Sequence, residues 1–296
     1  MQRIFASVRH VRSPCLEVRV VSITRCSLAT LAVLLAACAD AARPVSVDDT
    51  ASIVNGTPTG AAYGAVGALL YDYDRNGVID CNDEVCSGSL ITPTIFLTAA
   101  HCVLPDAFIP AGAQFYVSFA PALYAGGITA IPALATEVDP EFGGGEADRH
   151  DLAVVVLPEG STAGITPLSL PPVGALTALA AKNGLNDRLF VNVGYGTSAT
   201  RTGKASFPFD GRRQLSLAPF MALRPTWLGL LMNAAVTGLG GDCYGDSGGP
   251  KFLQGDATTI YAIVITGDMN CRATSWNWRL DTPEARGFLS RFVTLP

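Results

Sequence analysis

One serine in this chain is surrounded by glycines, in the run Gly-Asp-Ser-Gly-Gly-Pro at residues 245–250. A serine hydroxyl is a weak nucleophile until a base takes its proton, and the oxyanion formed by its attack needs hydrogen-bond donors already in place. Glycines let the backbone turn sharply and bring its N–H groups close to a reacting group. The run therefore predicts a nucleophilic Ser247, with the N–H groups of Gly245 and Ser247 as donors. A glycine-rich surface turn is the alternative.

A histidine and an aspartate upstream would complete such a site. The chain has three histidines, and His10 lies in a basic leader, which leaves His101 and His150. His101 follows an apolar run that predicts a buried strand ending just before the imidazole. Asp151 opens a second apolar run, where its carboxylate can accept a hydrogen bond from a histidine Nδ1 and fix the tautomer. These residues predict acyl transfer by Ser247, with His101 as the base.

The composition of the chain favours a fold of many short strands. Charged residues make up 15% of the sequence, beside 30 glycines and 19 prolines, as is typical of short strands joined by turns. Residues 53–296 are enough for one large all-β domain. The formal net charge is -5 and no cluster of Lys and Arg follows the leader, which argues against nucleic acid as a partner.

Several segments in a fixed order give the chain a resemblance to a known family. From Ile53 to its C-terminus it resembles the trypsin-like serine endopeptidases of the chymotrypsin fold, and we expect a secreted bacterial member. The matching segments are Ile53-Val54-Asn55-Gly56, Cys86-Ser87-Gly88-Ser89-Leu90-Ile91, Thr98-Ala99-Ala100-His101-Cys102, Asp151-Leu152-Ala153, Gly194-Tyr195-Gly196-Thr197 and Gly245 to Pro250. The resemblance implies two six-stranded antiparallel β-barrels packed face to face, with a C-terminal helix. It assigns the general acid and base to His101, the orienting carboxylate to Asp151 and the nucleophile to Ser247.

The resemblance also implies how the peptidase domain, residues 53–296, is divided into segments. The expected segments are a first barrel at about 53–165, a proline-containing linker at 166–172, a second barrel at about 174–282 and a helix at about 283–293. His101 and Asp151 then belong to the first barrel and Ser247 to the second, so the active site is expected between them.

The N-terminal segment indicates export. Five arginines precede an apolar run at 28–37, which is too short to span a bilayer, because a span needs about 20 apolar residues. We expect a signal peptide at 1–38 and a propeptide at 39–52. The run ends in Leu35-Ala36-Ala37-Cys38, which fits a lipobox that acylates Cys38, and ordinary cleavage at a small residue fits as well. The protein is therefore expected outside the cytoplasm, secreted or in the cell envelope, as a monomer without a transmembrane span.

Export permits disulfide bonds, and the resemblance implies two of them. Cys86 would pair with Cys102, and Cys243 with Cys271. Closing a loop of the first size stabilises a fold by about 3 kcal/mol in the chain-entropy model. Cys81 has no partner in the family, so a free thiol and an unidentified partner both stay open.

Ile53 suggests activation by proteolysis. In this family, cleavage before such an isoleucine frees an ammonium group that pairs with the aspartate preceding the nucleophile, here Asp246. A buried ion pair is costly unless both charges are matched, so the site is expected to assemble only after cleavage. The alternative is that Ile53 simply begins the first strand of an enzyme that is already active. Ser52 precedes it, which argues against a trypsin-like activating protease.

The substrate pocket departs from the family. Trypsins carry an aspartate at the pocket floor, where this chain aligns Gly241. Asp242 follows, and either attracts a Lys or Arg side chain of the substrate from an offset position or is a solvated loop acid. The remaining wall residues are expected to be Thr266, Gly267 and Ser275.

A second motif, the acidic loop at 72–83, has the pattern of a calcium loop. Oxygen-bearing side chains stand at loop positions 1, 3, 5, 9 and 12, with glycine at 6 and an aliphatic residue at 8. The candidate ligands are Asp72, Asp74, Asn76, Asp80 and Asp83. The loop resembles EF-hand or dockerin-type loops, although position 12 is not glutamate, and an acidic β-turn on Asn76-Gly77 is the alternative. Any Ca²⁺ is expected to be structural, and catalysis is expected to need no cofactor.

Two rival functions use the same fold without hydrolysis. One is an inactive protease-like module for binding or adhesion, and the other is a calcium-dependent extracellular binder. Such proteins usually lose a catalytic residue or a glycine of the oxyanion loop, and this chain retains them all. We therefore expect a secreted serine endopeptidase that acts on protein or peptide substrates.

Overall fold

The structure is a computed structural model that describes residues 53–73, 75–80, 83–106, 109–125, 128–145, 148–199 and 207–296, without the side chains of 84 and 85. The expectations for the signal peptide, Cys38 and the propeptide at 39–52 lie outside these residues, as do those for Asp74 and Cys81.

Two antiparallel sheets of seven strands each organise the described chain. The strands of the first sheet are β2 (Val66–Tyr71), β3 (Glu84–Thr92), β4 (Ile95–Thr98), β5 (Phe115–Ser118), β6 (Ile131–Pro132), β7 (Ala135–Val138) and β8 (Ala153–Val156). Those of the second are β1 (Thr57–Pro58), β9 (Leu189–Gly194), β10 (Gln214–Leu223), β11 (Trp227–Leu231), β12 (Pro250–Leu253), β13 (Ala262–Gly267) and β14 (Thr274–Arg279). The α-helices are α1 (Ala175–Ala180), α2 (Ala234–Thr237) and α3 (Pro283–Leu289), and short 3₁₀ turns cover Ala100–Cys102 and Ala181–Asn183.

The second sheet closes into a barrel and the first curls without closing. In the second sheet the order is β1-β10-β11-β14-β13-β12-β9, and β9 also pairs with β10, so six strands form a closed ring. In the first sheet the order is β6-β5-β2-β3-β4-β8-β7, with β6 and β7 at its edges. The predicted all-β double barrel with a C-terminal helix is confirmed, and its first half is a curled half-barrel.

The start of the described chain pairs with the second sheet. Thr57 lies opposite Leu215 of β10, and Val54 forms a bridge with Gly241. The sequence predicts this segment in the first barrel. Its backbone partners place it on the barrel that carries the predicted nucleophile.

Apolar strands build a core that extends through both sheets. All residues of β2 and β4 are buried, and one continuous cluster joins Leu97 and Val154 of the first sheet with Ile263 and Trp278 of the second. Burying an aliphatic or aromatic side chain of this kind stabilises the fold by about 1.5–3 kcal/mol. The two halves therefore share a core, which fixes the residues carried by each sheet relative to one another.

Helix α3 ends the fold as an amphipathic cap. The Thr282 hydroxyl accepts a hydrogen bond from the Ala285 N–H, and Pro283 occupies the first turn, where its missing N–H costs nothing. Phe288 and Leu289 are buried against the core. No helix of the described residues is both long enough and apolar enough to cross a membrane.

Candidate active site

His101 lies on a short 3₁₀ turn that follows β4. Ala99 and Ala100 are fully buried, while the His101 side chain is 37% exposed, so the backbone packs inward and the ring faces outward. The predicted Cys86–Cys102 disulfide is present and joins this turn to β3. A nitrogen of the imidazole lies within 4.8 Å of both sulfur atoms, so the cross-link lies close to the His101 ring.

Asp151 precedes β8, the neighbour of β4 in the sheet, and holds His101 by two hydrogen bonds. Its Oδ2 lies 2.7 Å from His101 Nδ1, and its Oδ1 accepts the His101 backbone N–H at 2.9 Å. The side chain of Asp151 is 1% exposed. A buried carboxylate at Nδ1 places the ring proton there, which leaves Nε2 as the proton acceptor.

His150, the other histidine considered, is held in a different arrangement. It is buried, with Nδ1 3.3 Å from Asp139 Oδ2 and Nε2 3.3 Å from Glu141 Oε2. Its ring also packs edge-on against Trp278. Since both nitrogens have carboxylate partners, His150 fits a structural role.

Ser247 lies in a loop of the second barrel that binds to the first sheet. Its carbonyl accepts the Ser87 N–H at 2.9 Å and lies 3.9 Å from Cys102 Sγ, next to the turn of His101. Gly248 has φ +78°, and a Cβ there would fall 2.3 Å from Thr98 Oγ1. The close approach of the two sheets at Ser247 thus requires glycine at the next position.

Two backbone N–H groups beside Ser247, those of Gly245 and Ser247, are the predicted donors of an oxyanion hole. The carbonyl of Gly245 accepts the Ser87 hydroxyl at 2.9 Å, and Gly245 has φ +92°. Within the described part of the chain, the N–H groups of Gly245 and Ser247 have no hydrogen-bond acceptor. Donors already held in place next to a nucleophile are what a developing oxyanion requires.

Asp246, which precedes Ser247, is buried. Its carboxylate accepts N–H groups from Gly196 at 2.9 Å and Cys243 at 2.8 Å. Burial, reinforced by the charge of Asp242, raises the pKa of Asp246 to about 7. Ile53 is fully buried, so both members of the predicted activation pair are inside the protein.

The predicted pocket residues come together below the nucleophile loop. Gly267 of β13 pairs with Ser275 of β14, whose hydroxyl donates to Asp242 Oδ2 at 2.5 Å, and Thr266 lies opposite Trp276. The predicted Cys243–Cys271 disulfide is present at the same end. A Cβ at Gly241 would fall 2.3 Å from Met232 Cγ, so the methionine occupies the space behind the aligned floor position.

Lys251 is the residue that the sequence analysis missed. It lies in β12, its side chain is fully buried, and its Nζ forms an ion pair with Asp242 Oδ1. Burial lowers the pKa of Lys251, while the charge of Asp242 opposes that effect. A lysine between Pro250 and Phe252, in an otherwise apolar strand, was the available signal.

Hydrogen bonds within the acidic loop involve two of its carboxylates. Asp72 accepts the N–H groups of Asn76 at 3.0 Å and Gly77 at 2.8 Å, and Asp83 accepts those of Tyr73 at 2.9 Å and Asp80 at 2.6 Å. The three described acids do not all bring an oxygen within 4.8 Å of one another. A surface cleft of about 400 Å³ lies beside this loop, and none of the residues that line it is close to Ser247 in the sequence. Calcium binding here stays a prediction.

Comparisons with known proteins bear on the family and the fold of the chain. A family model described as Trypsin matches residues 71–276, which include His101, Asp151 and Ser247. Among solved structures, HL collagenase has 18% identity and a TM-score of 0.58, with 81% of this chain and 97% of that chain covered. Human heparin binding protein has 15% identity and a TM-score of 0.57, with 81% and 96% covered. A mutant of the latter protein has 16% identity and a TM-score of 0.58, with 82% and 99% covered. At such identities the likeness concerns the fold alone, and a comparison with curated protein sequences found no match.

Proposed function

The chain belongs to the trypsin family, and on this premise we propose that it is a secreted serine endopeptidase that cleaves proteins or peptides through an acyl-enzyme. The observation that carries the proposal is the pairing of His101 with the buried Asp151 at 2.7 Å, beside a loop that presents Ser247. Membership in the family supports protease chemistry, and this constellation supports its being active.

The proposed reaction begins with attack by Ser247 Oγ on the substrate carbonyl carbon. His101 Nε2 takes the hydroxyl proton, and the imidazolium is stabilised by Asp151, which stays ionised. The same nitrogen then protonates the leaving amine as the C–N bond breaks. Water repeats the sequence on the acyl-enzyme and restores the serine.

The charge that develops on the carbonyl oxygen is assigned to two N–H groups, those of Gly245 and Ser247. Their loop is held by Ser87, which donates its N–H to Ser247 and its hydroxyl to Gly245. Donors that need no reorganisation lower the barrier most, and loss of one such donor typically costs 10²–10³-fold in rate.

We further propose that cleavage before Ile53 completes the site. The new ammonium would join a buried cluster that already holds the Asp242 and Asp246 carboxylates and one Lys251 amine. Two acids and one base leave one charge unmatched, and a second cation removes that imbalance.

Export of the protein belongs to the same proposal. The two disulfides of the described chain are consistent with an oxidising compartment, and the arginine-rich leader with its apolar run would direct the chain there. Acylation at Cys38 would anchor the enzyme to a membrane, and cleavage without acylation would release it.

A binding module of the same fold is the alternative. One similar structure is a protein named for binding heparin, and basic side chains are what an acidic polysaccharide requires. The present chain has a formal net charge of -5, which does not favour such a ligand. A calcium-dependent binder would instead show calcium-linked ligand binding that survives Ser247→Ala.

Covalent labelling separates an active enzyme from a binding module. Chain processed to begin at Ile53 should react irreversibly with a fluorophosphonate at Ser247, and Ser247→Ala should abolish both the label and peptide hydrolysis. Ser290→Ala, an exposed serine at the end of α3, is the matched control and should behave as the parent. Processed, folded protein that neither reacts nor hydrolyses any peptide would refute the proposal.

A further inference from the structure

A fully buried lysine lies beneath the predicted substrate pocket. The Lys251 and Asp242 side chains are 0% and 5% exposed, and their charged groups are in direct contact. A cation removed from water is strongly unfavourable unless a partner compensates its charge. The pair is therefore a fixed part of this region, and neither member is free to turn toward solvent.

Both carboxylate oxygens of Asp242 are already engaged. Oδ1 contacts the Lys251 ammonium, and Oδ2 accepts the Ser275 hydroxyl at 2.5 Å. A substrate guanidinium would have to share a carboxylate that is almost wholly buried and already holds a partner on each oxygen. The Lys–Asp pair also carries no net charge, whichever of the two groups holds the proton, so it offers an incoming cation little attraction.

The other acids near the pocket are engaged as well. Asp246 accepts two backbone N–H groups on the far side of the nucleophile loop. Asp268, at the end of β13, accepts the N–H groups of Arg272, Ala273 and Thr274. At the aligned floor position Gly241 has no side chain and lies against Met232. Among the described residues, none of these acids faces the pocket without a partner.

Apolar side chains lie next to the Cys243–Cys271 disulfide, at the end of the barrel that carries the predicted pocket residues. Tyr244, which follows the Cys243–Cys271 disulfide, is 44% exposed and packs edge-on against Phe207. Its hydroxyl donates to the Met269 carbonyl at 3.0 Å, and the Met269 side chain is 74% exposed. Aromatic and thioether side chains at this end of the barrel suit an uncharged substrate side chain better than a cation that must keep its hydration.

We propose that Lys251 determines specificity by neutralising Asp242, so that the pocket accepts an uncharged P1 side chain and rejects Lys and Arg. This inference rests on the proposed endopeptidase activity. It also assigns a role to Asp242: the acid is neutralised inside the protein and does not attract basic side chains, which was one of the two alternatives that the sequence left open.

A panel of peptide p-nitroanilides that differ only at P1 tests the inference. The full chain processed to Ile53, with active sites counted by fluorophosphonate titration, is assayed with P1 Arg, Lys, Phe, Leu and Ala. We expect kcat/KM for the best uncharged substrate to exceed that for Arg and for Lys by at least tenfold. A preference for Arg or Lys overturns the inference while leaving the proposed function intact.

Two variants test whether Lys251 is the cause. Lys251→Met keeps the length of the side chain and removes its charge, and we expect the Arg-to-uncharged ratio of kcat/KM to rise at least tenfold. Lys251→Met with Asp242→Asn removes both charges and should return the ratio to the parental value. An unchanged ratio in Lys251→Met refutes the role of Lys251.

The outcomes remain distinct if the single variant does not fold. The parental panel then still decides whether basic P1 residues are rejected, and the double variant decides whether a neutral site without Lys251 keeps that rejection. Loss of rejection in the folded double variant would overturn the neutralisation argument. Absence of both label and hydrolysis in the parent would instead refute the proposed function, and this inference with it.

Discussion

The uncleaved chain should lose stability as the pH rises from about 4 to about 7, because burial favours the protonated form of Asp246 in the folded chain. Burial and the neighbouring Asp242 raise the pKa of Asp246 from 3.8 to about 7. Below pH 3.8 the group is protonated in the folded and unfolded chains alike, so its contribution to stability is fully present. Between the two values the folded chain holds one proton more than the unfolded chain, and stability falls with pH.

The magnitude follows from the same linkage. Each pH unit within that window lowers the free energy of unfolding by at most about 1.4 kcal/mol, so the whole loss is on the order of a few kcal/mol. An ammonium at Ile53 would favour the ionised form of Asp246 and lower its pKa. Chain cleaved before Ile53 should therefore lose much less stability over the same range.

Urea unfolding from pH 4 to pH 8 measures this effect. Ser247→Ala prevents self-digestion, and Asp246→Asn in that background supplies a chain without the titrating group. The free energy of unfolding of the parent, minus that of the asparagine variant, should fall with rising pH and level off above about pH 7. A difference that stays flat, or that rises with pH, would refute the reasoning, and equal slopes before and after cleavage would refute the proposed role of the ammonium.

Three further changes have expected outcomes. Asp151→Asn should lower kcat on the order of 10³–10⁴-fold with little change in KM, because an amide favours the wrong imidazole tautomer. Steady-state kinetics of the variant and the parent, measured side by side, will check this. Gly248→Ala should lower the free energy of unfolding by more than the roughly 1–2 kcal/mol of a left-handed residue, since its Cβ also meets a neighbouring hydroxyl, and an unchanged melting curve would contradict this. If the acidic loop binds calcium, chelator should lower the melting temperature and Ca²⁺ should restore it with kcat unchanged, whereas identical melting curves would remove the metal from the account.

The candidate site could be proposed from the sequence because its signals are local. The glycines around Ser247 and the apolar run before His101 each occupy a few consecutive residues, and each has a direct chemical reason. The two disulfides, predicted from the resemblance, are present in the structure. The double-barrel fold followed from the same segments and is confirmed by the two sheets.

The Lys251–Asp242 pair could not be predicted in the same way. It joins a strand to a loop residue nine positions earlier, and its third member, Ser275, lies 33 positions beyond Asp242. Nothing in the immediate neighbours of Asp242 shows that a lysine will turn inward beneath it. Only the pairing of the strands of the second barrel brings these groups together, so the sequence left open whether Asp242 attracts basic side chains or is a solvated loop acid.

The position of the first described strand could not be predicted from the sequence either. Strand β1 has two residues, both exposed, so it offers neither an alternation of apolar residues nor a buried run. Its position is set by backbone pairing with β10 and by the bridge from Val54 to Gly241. Such contacts depend on the shape of the completed barrel.

Ser87 links the first sheet to the loop that carries Ser247. This one residue of the first sheet binds the carbonyls of Gly245 and Ser247, and its hydroxyl also accepts the N–H of Tyr195 from the second barrel. Each sheet has its own strand pairing, but the arrangement around the nucleophile exists only while the two halves are in register. A slight shear of one half against the other is therefore expected to abolish the proposed peptidase activity while the strands stay intact. The proposed activity depends on the contact between the two sheets, and we expect it to be lost before the secondary structure is.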